Sequence, residues 1–346
     1  MPAPDELPES IVLQRFAGVR NIVGAERLAL EDLETALNVD IDDAGQVRRR
    51  RGYALGASGS YHSVRTLGSQ VIGVKDGALG WIGTDYTFTS LTTVGTPPLS
   101  YAQVGYTTYF SSAAASGKIV DDTVSAWGAL ASEGTWLSPV VTPTDTLGAI
   151  GGRLLGAPPL ATEIEYYKGR IYLAAEKYLW ATELYLYDYV DKTRGVIQFE
   201  EDITLVRAVE DGVYVGTTKA LYFLRGTFAE GLKRETIVES PVIRGSSVVV
   251  PTSKVHPGAR QGPMPEGEGA VFLTGDGVMA AFDRGEVYSL TQNRVVFPQA
   301  TSAAALYRDQ DGVNQFVAVA DSGGSPTSNA RIGDYVSAEI VRFQGG

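Results

Sequence analysis

Short apolar runs bounded by glycine turns recur along this chain. "YYKGRIYLAA", residues 166–175, has an aromatic pair, a short basic turn and a run of small and apolar residues. It reads as the end of one strand, a tight turn at Gly169 and a second strand. The same pattern returns in "LGSQVIGVKDGALGWIG" (67–83), "VGYTTYFSSAAASGKIV" (104–120), "YKGRIYLAAEKYLWATE" (167–183), "VEDGVYVGTTKALYFLR" (209–225), "GEGAVFLTGDGVMAAFD" (267–283) and "DQDGVNQFVAVADSGG" (309–324). The turn glycines Gly68, Gly105, Gly169, Gly212, Gly269 and Gly312 are 37, 64, 43, 57 and 43 residues apart. Recurrence near 40 residues with several strands per unit is the signature of a β-propeller, whose blades each bury an apolar face on a neighbour. An ordinary meander or sandwich also repeats hairpins. The spacing favours an all-β propeller of about six blades, one per repeat.

Two zones follow from the pattern. Residues 1–56 form an N-terminal segment. Within it, "GAERLALEDLETAL" places Leu28, Leu30, Leu33 and Leu37 among acidic residues and predicts a short amphipathic helix with a stop at Asn38. "NVDIDDAGQVRRRRGYAL" predicts strand, turn at Asp43–Gly45, strand. Residues 57–346 form the propeller body, with proline- and glycine-rich insertions at about 128–160 and 253–269. "QVRRRRGYAL" and the C-terminal "DYVSAEIVRF" are candidates to complete one blade from both ends of the chain.

Composition supports the β reading: 40 glycines, 18 tyrosines and only 20% charged residues. There is no cysteine, which excludes disulfides and thiolate chemistry. "MPAPDELPES" has neither a basic start nor an apolar core, so a signal peptide is not expected. No run approaches the ~18 apolar residues of a membrane helix, so no membrane anchor is expected. The formal charge of −11 argues against a nucleic-acid-coating surface, though not against a conduit that DNA passes without sticking.

Candidate chemistry is sparse. The two histidines are His62, beside a strand start, and His256, in a Pro/Gly loop; no G-x-S-x-G elbow accompanies them. "DIDDAG" (40–45) has the Asp40/Asp42 spacing of a calcium loop, but Ala44 and Arg51 stand where acidic ligands are needed, so it reads as a turn. The run Arg48–Arg51 lies in a predicted strand without interleaved aromatics and suits a polar interface better than a nucleic-acid site. "EYYKGRIY" and "TELYLYDYV" hold six of the 18 tyrosines, either ordinary blade residues or a sugar- or protein-binding surface. Glu165, Glu183, Glu200 and Glu201 are acidic residues near strand ends, and no glycosidase pair can be picked from spacing alone. No catalytic residue, cofactor site or metal site is expected.

One longer pattern is more informative. In "LQRFAGVRNIV…EDLETALNVDIDDAGQVRRRRGYAL", the residues Phe16, Gly18, Asn21, Asn38, Val39, Asp40, Gly45, Val47, Arg51, Gly52 and Tyr53 resemble the N-terminal signature of tail nozzle or hub proteins of short-tailed bacteriophages, also called stabilisation or tail accessory proteins. "APPLATEIEYYKGRIYLAAEKYLWATEL" and "EEDITLVRAVEDGVYVGTTKALYFLRGT" extend the resemblance, which spans residues 12 to about 297 with gaps. The chain departs from many such proteins in being compact. The resemblance implies a virion structural protein of the tail, made in the bacterial cytoplasm and without chemistry of its own. It implies a ring of self-associated copies, six expected, below the portal and adaptor. Other tail proteins or fibres would be neighbours, and double-stranded viral DNA would pass the channel during ejection without sequence-specific binding. Candidate interface residues are Phe16, Asn21, Arg48, Arg49, Arg50, Arg51 and Tyr53. The competing expectations are a receptor- or glycan-binding propeller and a propeller glycosidase.

Overall fold

A computed structural model describes residues 15–34, 36, 39–41, 46–49, 55–128, 155–228, 231–255, 267–291, 300–310, 313–321 and 337–342. It is a β-propeller. Five sheets of four or more strands follow one another along the chain. Blade 1 is Tyr61–Leu67, Gln70–Lys75, Ala78–Ile82 and Phe88–Thr93. Blade 2 is Ser100–Val104, Thr107–Ser111, Ser116–Val120 and Thr123–Ser125. Blade 3 is Glu163–Tyr167, Arg170–Ala175, Tyr178–Glu183 and Leu186–Asp191, with the short strands Leu155–Gly156 and Val196–Gln198 added at its rim. Blade 4 is Ile203–Val209, Gly212–Thr217, Leu221–Arg225 and Lys233–Val238; blade 5 is Val248–Pro251, Glu268–Thr274, Gly277–Ala281 and Val287–Ser289. A terminal sheet of three strands, Ser302–Gln310, Val313–Asp321 and Ser337–Arg342, follows. The expected six blades therefore become five full blades and a three-stranded sheet. The sixth repeat does supply a hairpin, but no fourth strand joins it among the described residues.

The repeat arises because middle strands are buried on both faces. In Arg170–Ala175, Ile171 and Leu173 pack towards blade 2, while Tyr172 and Ala174 pack towards blade 4. In Glu268–Thr274, Ala270 and Phe272 face blade 4, and Val271 and Leu273 face the terminal sheet. Such strands read as near-continuous apolar runs, because neither pleat face meets water. Five core clusters result, one between each consecutive pair of sheets from blade 1 to the terminal sheet.

Strands within each blade are antiparallel. The turn from first to second strand and the turn from third to fourth strand therefore lie at the same end of the propeller, here called the turn end.

The N-terminal expectations divide. The described residues 24–34 do not form the predicted amphipathic helix. They give a single 3-10 turn at Ala25–Arg27 and the strand Asp32–Leu33, which pairs in parallel with Gly18–Val19. Leu28, Leu30 and Leu33 never made a full helical stripe, and Leu30 stays exposed. Backbone bonds from Ala17 N to Glu31 O (2.7 Å) and from Arg20 N to Leu33 O (2.8 Å) hold the segment extended instead. The predicted hairpin forms: Val39–Ile41 pairs with Val47–Arg49, with Asp40 opposite Arg48. Its turn, residues 42–45, lies outside the described residues, as do the insertions from 129 to 154 and from 256 to 266. Strand Val47–Arg49 pairs within its own hairpin, whereas Ser337–Arg342 joins the terminal sheet.

Candidate functional site: an ionic cluster on the propeller axis

The first strand of each blade lines the axis. Three of these strands carry charges amid apolar residues: Arg65 in blade 1, Glu163 and Glu165 in blade 3, and Arg207 in blade 4; Arg244 sits just before the first strand of blade 5. Arg207 is the hub. Its Nη1 donates to Glu165 Oε2 at 2.7 Å and its Nε donates to Ser247 Oγ at 2.8 Å, so one guanidinium ties blade 4 to both neighbours. Arg65 Nη1 donates to the Tyr101 carbonyl of blade 2 at 2.5 Å. Arg244 Nη2 donates to the Ile203 carbonyl of blade 4 at 3.0 Å, while its own carbonyl accepts Ala303 N of the terminal sheet at 2.7 Å. Hydroxyls serve the remaining steps. Ser63 Oγ accepts Leu99 N at 2.8 Å, and Ser100 Oγ accepts Ile164 N at 3.0 Å. Every step from blade 1 to the terminal sheet is thus crossed by a hydrogen bond from an inner strand or the residues leading into it.

The electrostatics follow from burial. Withdrawal from water pushes the Glu163 carboxyl above the usual range, against the pull of Arg207 and Arg244, and neighbouring Glu165 pushes the same way. Burial opposes the Arg207 charge, but Glu165 and Glu163 outweigh it and hold its pKa above the ordinary value. Arg65 is lowered, first by burial and then by repulsion from Arg207. Three arginines against two glutamates leave the axis of the described residues with excess positive charge. Bidentate-capable guanidiniums suit such buried pairing. The arrangement latches blades together across the axis, where Ser100 Oγ also donates to Glu163 Oε2 at 3.4 Å.

The candidates read from sequence fall in different places. His62 is half-buried; its Nδ1 lies 3.0 Å from Ser63 Oγ, and burial lowers its pKa. His256 lies outside the described residues. Of the four glutamates, only Glu165 joins the axial cluster. Glu183 ends a strand at the turn end, Glu200 is exposed in the connection to blade 4, and Glu201 pairs with Lys219. Among the described residues no group of three His, Asp or Glu is placed to hold a metal. Phe16 is half-buried and Asn21 exposed, on the segment paired with residues 31–33. Arg48 and Arg49 are exposed on the separate hairpin. Arg50, Arg51 and Tyr53 lie outside the described residues. Half of the tyrosine-rich stretch is core: Tyr167, Tyr172 and Tyr189 are buried, Tyr166 and Tyr187 are half-buried, and Tyr185 is exposed. Arg65, Glu163, Glu165 and Arg207 were readable in "YHSVRTL", "TEIEYY" and "ITLVRAV" as one or two charges inside a first strand.

No family model matches the chain, and no curated protein matches it. Among solved structures it is similar to the extracellular domain of a hybrid two-component system from B. thetaiotaomicron, at 14% identity and a TM-score of 0.42 over 82% of this chain and 35% of that one. This chain spans about a third of that protein's length. It is also similar to the computationally designed protein Ika8, at 12% identity and a TM-score of 0.39 over 81% and 85% of the two chains. The N-terminal domain of Nup159 gives 10% identity and a TM-score of 0.44 over 75% and 73%.

Proposed function

We propose that this chain is a structural component of the tail of a short-tailed bacteriophage, a nozzle or hub subunit set in a ring beneath the portal and adaptor. The observation that carries the reading is the signature from Phe16 to Tyr53 followed by propeller repeats, with Val39–Ile41 paired to Val47–Arg49 on either side of the signature's acidic stretch. Two features support it. Arg207 and Arg244 bridge inner strands across the axis, so on this reading a channel for the genome runs between copies rather than through one copy. The formal charge of −11 gives a surface that repels phosphates and lets DNA slide. The partners on this reading are further copies of the chain, portal and adaptor proteins, neighbouring tail proteins or fibres, and duplex DNA in transit.

The test is to add the purified chain to adaptor-bearing particles that lack it. The reading expects a ring of density at the axial vertex by electron microscopy. Particles left bare, with the chain binding host cells by itself, would favour a receptor- or glycan-binding propeller.

A further inference from the structure

The turn end of blades 1–3 is unusual in what it exposes. Tyr86 lies in the turn between the third and fourth strands of blade 1, and Tyr185 lies in the equivalent turn of blade 3. Tyr106 lies in the first turn of blade 2. These rings are 60%, 69% and 95% exposed, and Leu184 beside Tyr185 is exposed as well. Tyr86 and Tyr185 both hold a positive φ, 64° and 59°. Bulky residues rarely adopt that conformation, and glycine would meet it without steric cost. Both turns therefore place an exposed tyrosine where glycine would be the cheaper residue. Hydrogen bonds join neighbouring blades near this end: Trp81 Nε1 donates to Asp122 Oδ1 at 2.7 Å, and Trp127 Nε1 donates to the Tyr187 carbonyl at 2.8 Å.

The surroundings of these rings are acidic. Asp85 shares the turn of Tyr86, Glu183 ends the strand before the turn of Tyr185, and Asp121 and Asp122 form the other turn of blade 2 at this end, against Lys168, which packs over the Tyr167 ring at 5.1 Å. Hydrogen bonds from Thr87 hold the Asp85 carboxyl below its ordinary range, so it stays ionised. Exposed tyrosine rings with carboxylates at the same end of the blades fit guanidinium groups, which stack on aromatic rings and pair with carboxylates.

The chain carries such a group. Arg48 and Arg49 are exposed on the hairpin strand Val47–Arg49. The backbone at Gly56 passes over Tyr86, close enough that a side chain there would lie 3.2 Å from the ring. Gly56 is seven positions after Arg49, a reach of at most ~25 Å. Within one copy the hairpin arginines and the rings of blades 2 and 3 are exposed at the same time, so they do not cover each other.

We infer that the Arg48/Arg49 hairpin of one copy docks on the Tyr106/Tyr185 face of a second copy. The two surfaces are different patches, so the contact is head-to-tail and propagates to a ring or a filament. The pairwise contact stands on the surfaces of this chain; only its closure into a ring under an adaptor rests on the tail reading.

Light scattering on the full-length chain during size exclusion, across about 1–100 µM, tests it with two variants. One is Tyr106→Ala/Tyr185→Ala and the other is Arg48→Glu/Arg49→Glu; all four side chains are exposed, and circular dichroism checks that both variants fold. The wild type should self-associate, and each variant should associate at least about tenfold more weakly. An equimolar mixture should form a one-to-one dimer and nothing larger, because it has a single intact pair of surfaces. A wild type monomeric across the range, variants that associate like the wild type, or a mixture that stays monomeric would overturn the proposal. So would a glycan array bound by the wild type and lost in the tyrosine variant without any self-association, which would assign the face to sugar. A dimer of this kind found in a chain absent from tails would sink the tail reading and leave the contact standing.

Discussion

Arg207→Ala should be among the most damaging single changes at the axis. Its side chain is 14% exposed and that of Glu165 is 17% exposed, so little solvent screens the pair. The substitution removes the 2.7 Å bond to Glu165 and the 2.8 Å bond to Ser247. It also leaves Glu163 and Glu165 beside each other without the cation that pairs directly with Glu165, with Arg65 and Arg244 still nearby. Breaking a buried pair from one side costs about 3–5 kcal/mol, most of it the stranded charge. At ~2.1 cal/mol/K per residue, a chain of 346 residues has an unfolding entropy near 0.7 kcal/mol/K, so the melting temperature should fall by roughly 4–7 °C if unfolding is cooperative. Arg207→Lys keeps the charge but not the fork that reaches both neighbours, and should fall between. Urea titrations of the three proteins, read by tryptophan fluorescence, give the differences directly. An Arg207→Ala protein within about 1 kcal/mol of wild type would refute the claim that the axial cluster latches the blades.

Other substitutions probe the same frame. Ser100→Ala strips the acceptor from the Ile164 N–H in a buried strand and should cost about 1–3 kcal/mol in the same titration. Tyr214→Phe removes a buried hydroxyl that donates to the Phe282 carbonyl at 2.5 Å and the Glu286 carbonyl at 3.1 Å, with a loss of about 1–2 kcal/mol. Gly245 has φ +75°, and a Cβ there would lie 2.2 Å from the Ala303 carbonyl oxygen, so Gly245→Ala should loosen the terminal sheet, seen as faster amide exchange at residues 302–321. Glu163→Gln tests the raised carboxyl. A group whose folded pKa lies above its unfolded value contributes stability that is fully present below the unfolded pKa and lost as pH rises through the folded one. Wild type should therefore gain stability relative to Glu163→Gln as pH falls from neutrality towards 4, and parallel pH profiles would contradict the assignment.

The parts legible in the sequence were those governed by local pattern. Gly68, Gly105 and Gly169 do mark turns from first to second strands, because a two-residue reversal needs positive φ. Gly212 opens its second strand after such a turn, whereas Gly269 lies one residue inside its strand, since a long loop replaces the tight turn in blade 5. The blade count was less legible: the sixth hairpin looks like the others, and whether it gains a fourth strand depends on segments distant in sequence. The helix at 24–37 failed for a related reason. Helix-forming residues such as Glu26, Leu28 and Glu31 carry only weak preferences, which pairing with residues 17–20 overrides. The axial cluster could have been suspected from Arg65, Glu163, Glu165 and Arg207 inside first strands. That these side chains converge depends on the ring, which spacing along the chain does not encode. The exposure of Tyr86, Tyr106 and Tyr185 was likewise hidden, since tyrosine is equally at home in the cores that hold Tyr172 and Tyr214.

The central claim is the place of this protein in a tail, and immunogold electron microscopy tests it most directly. Antibody raised against the purified chain is applied to the particles from which it comes. Gold at the axial tail below the head is the predicted result. Gold on peripheral fibres, or on no particle at all, would contradict it.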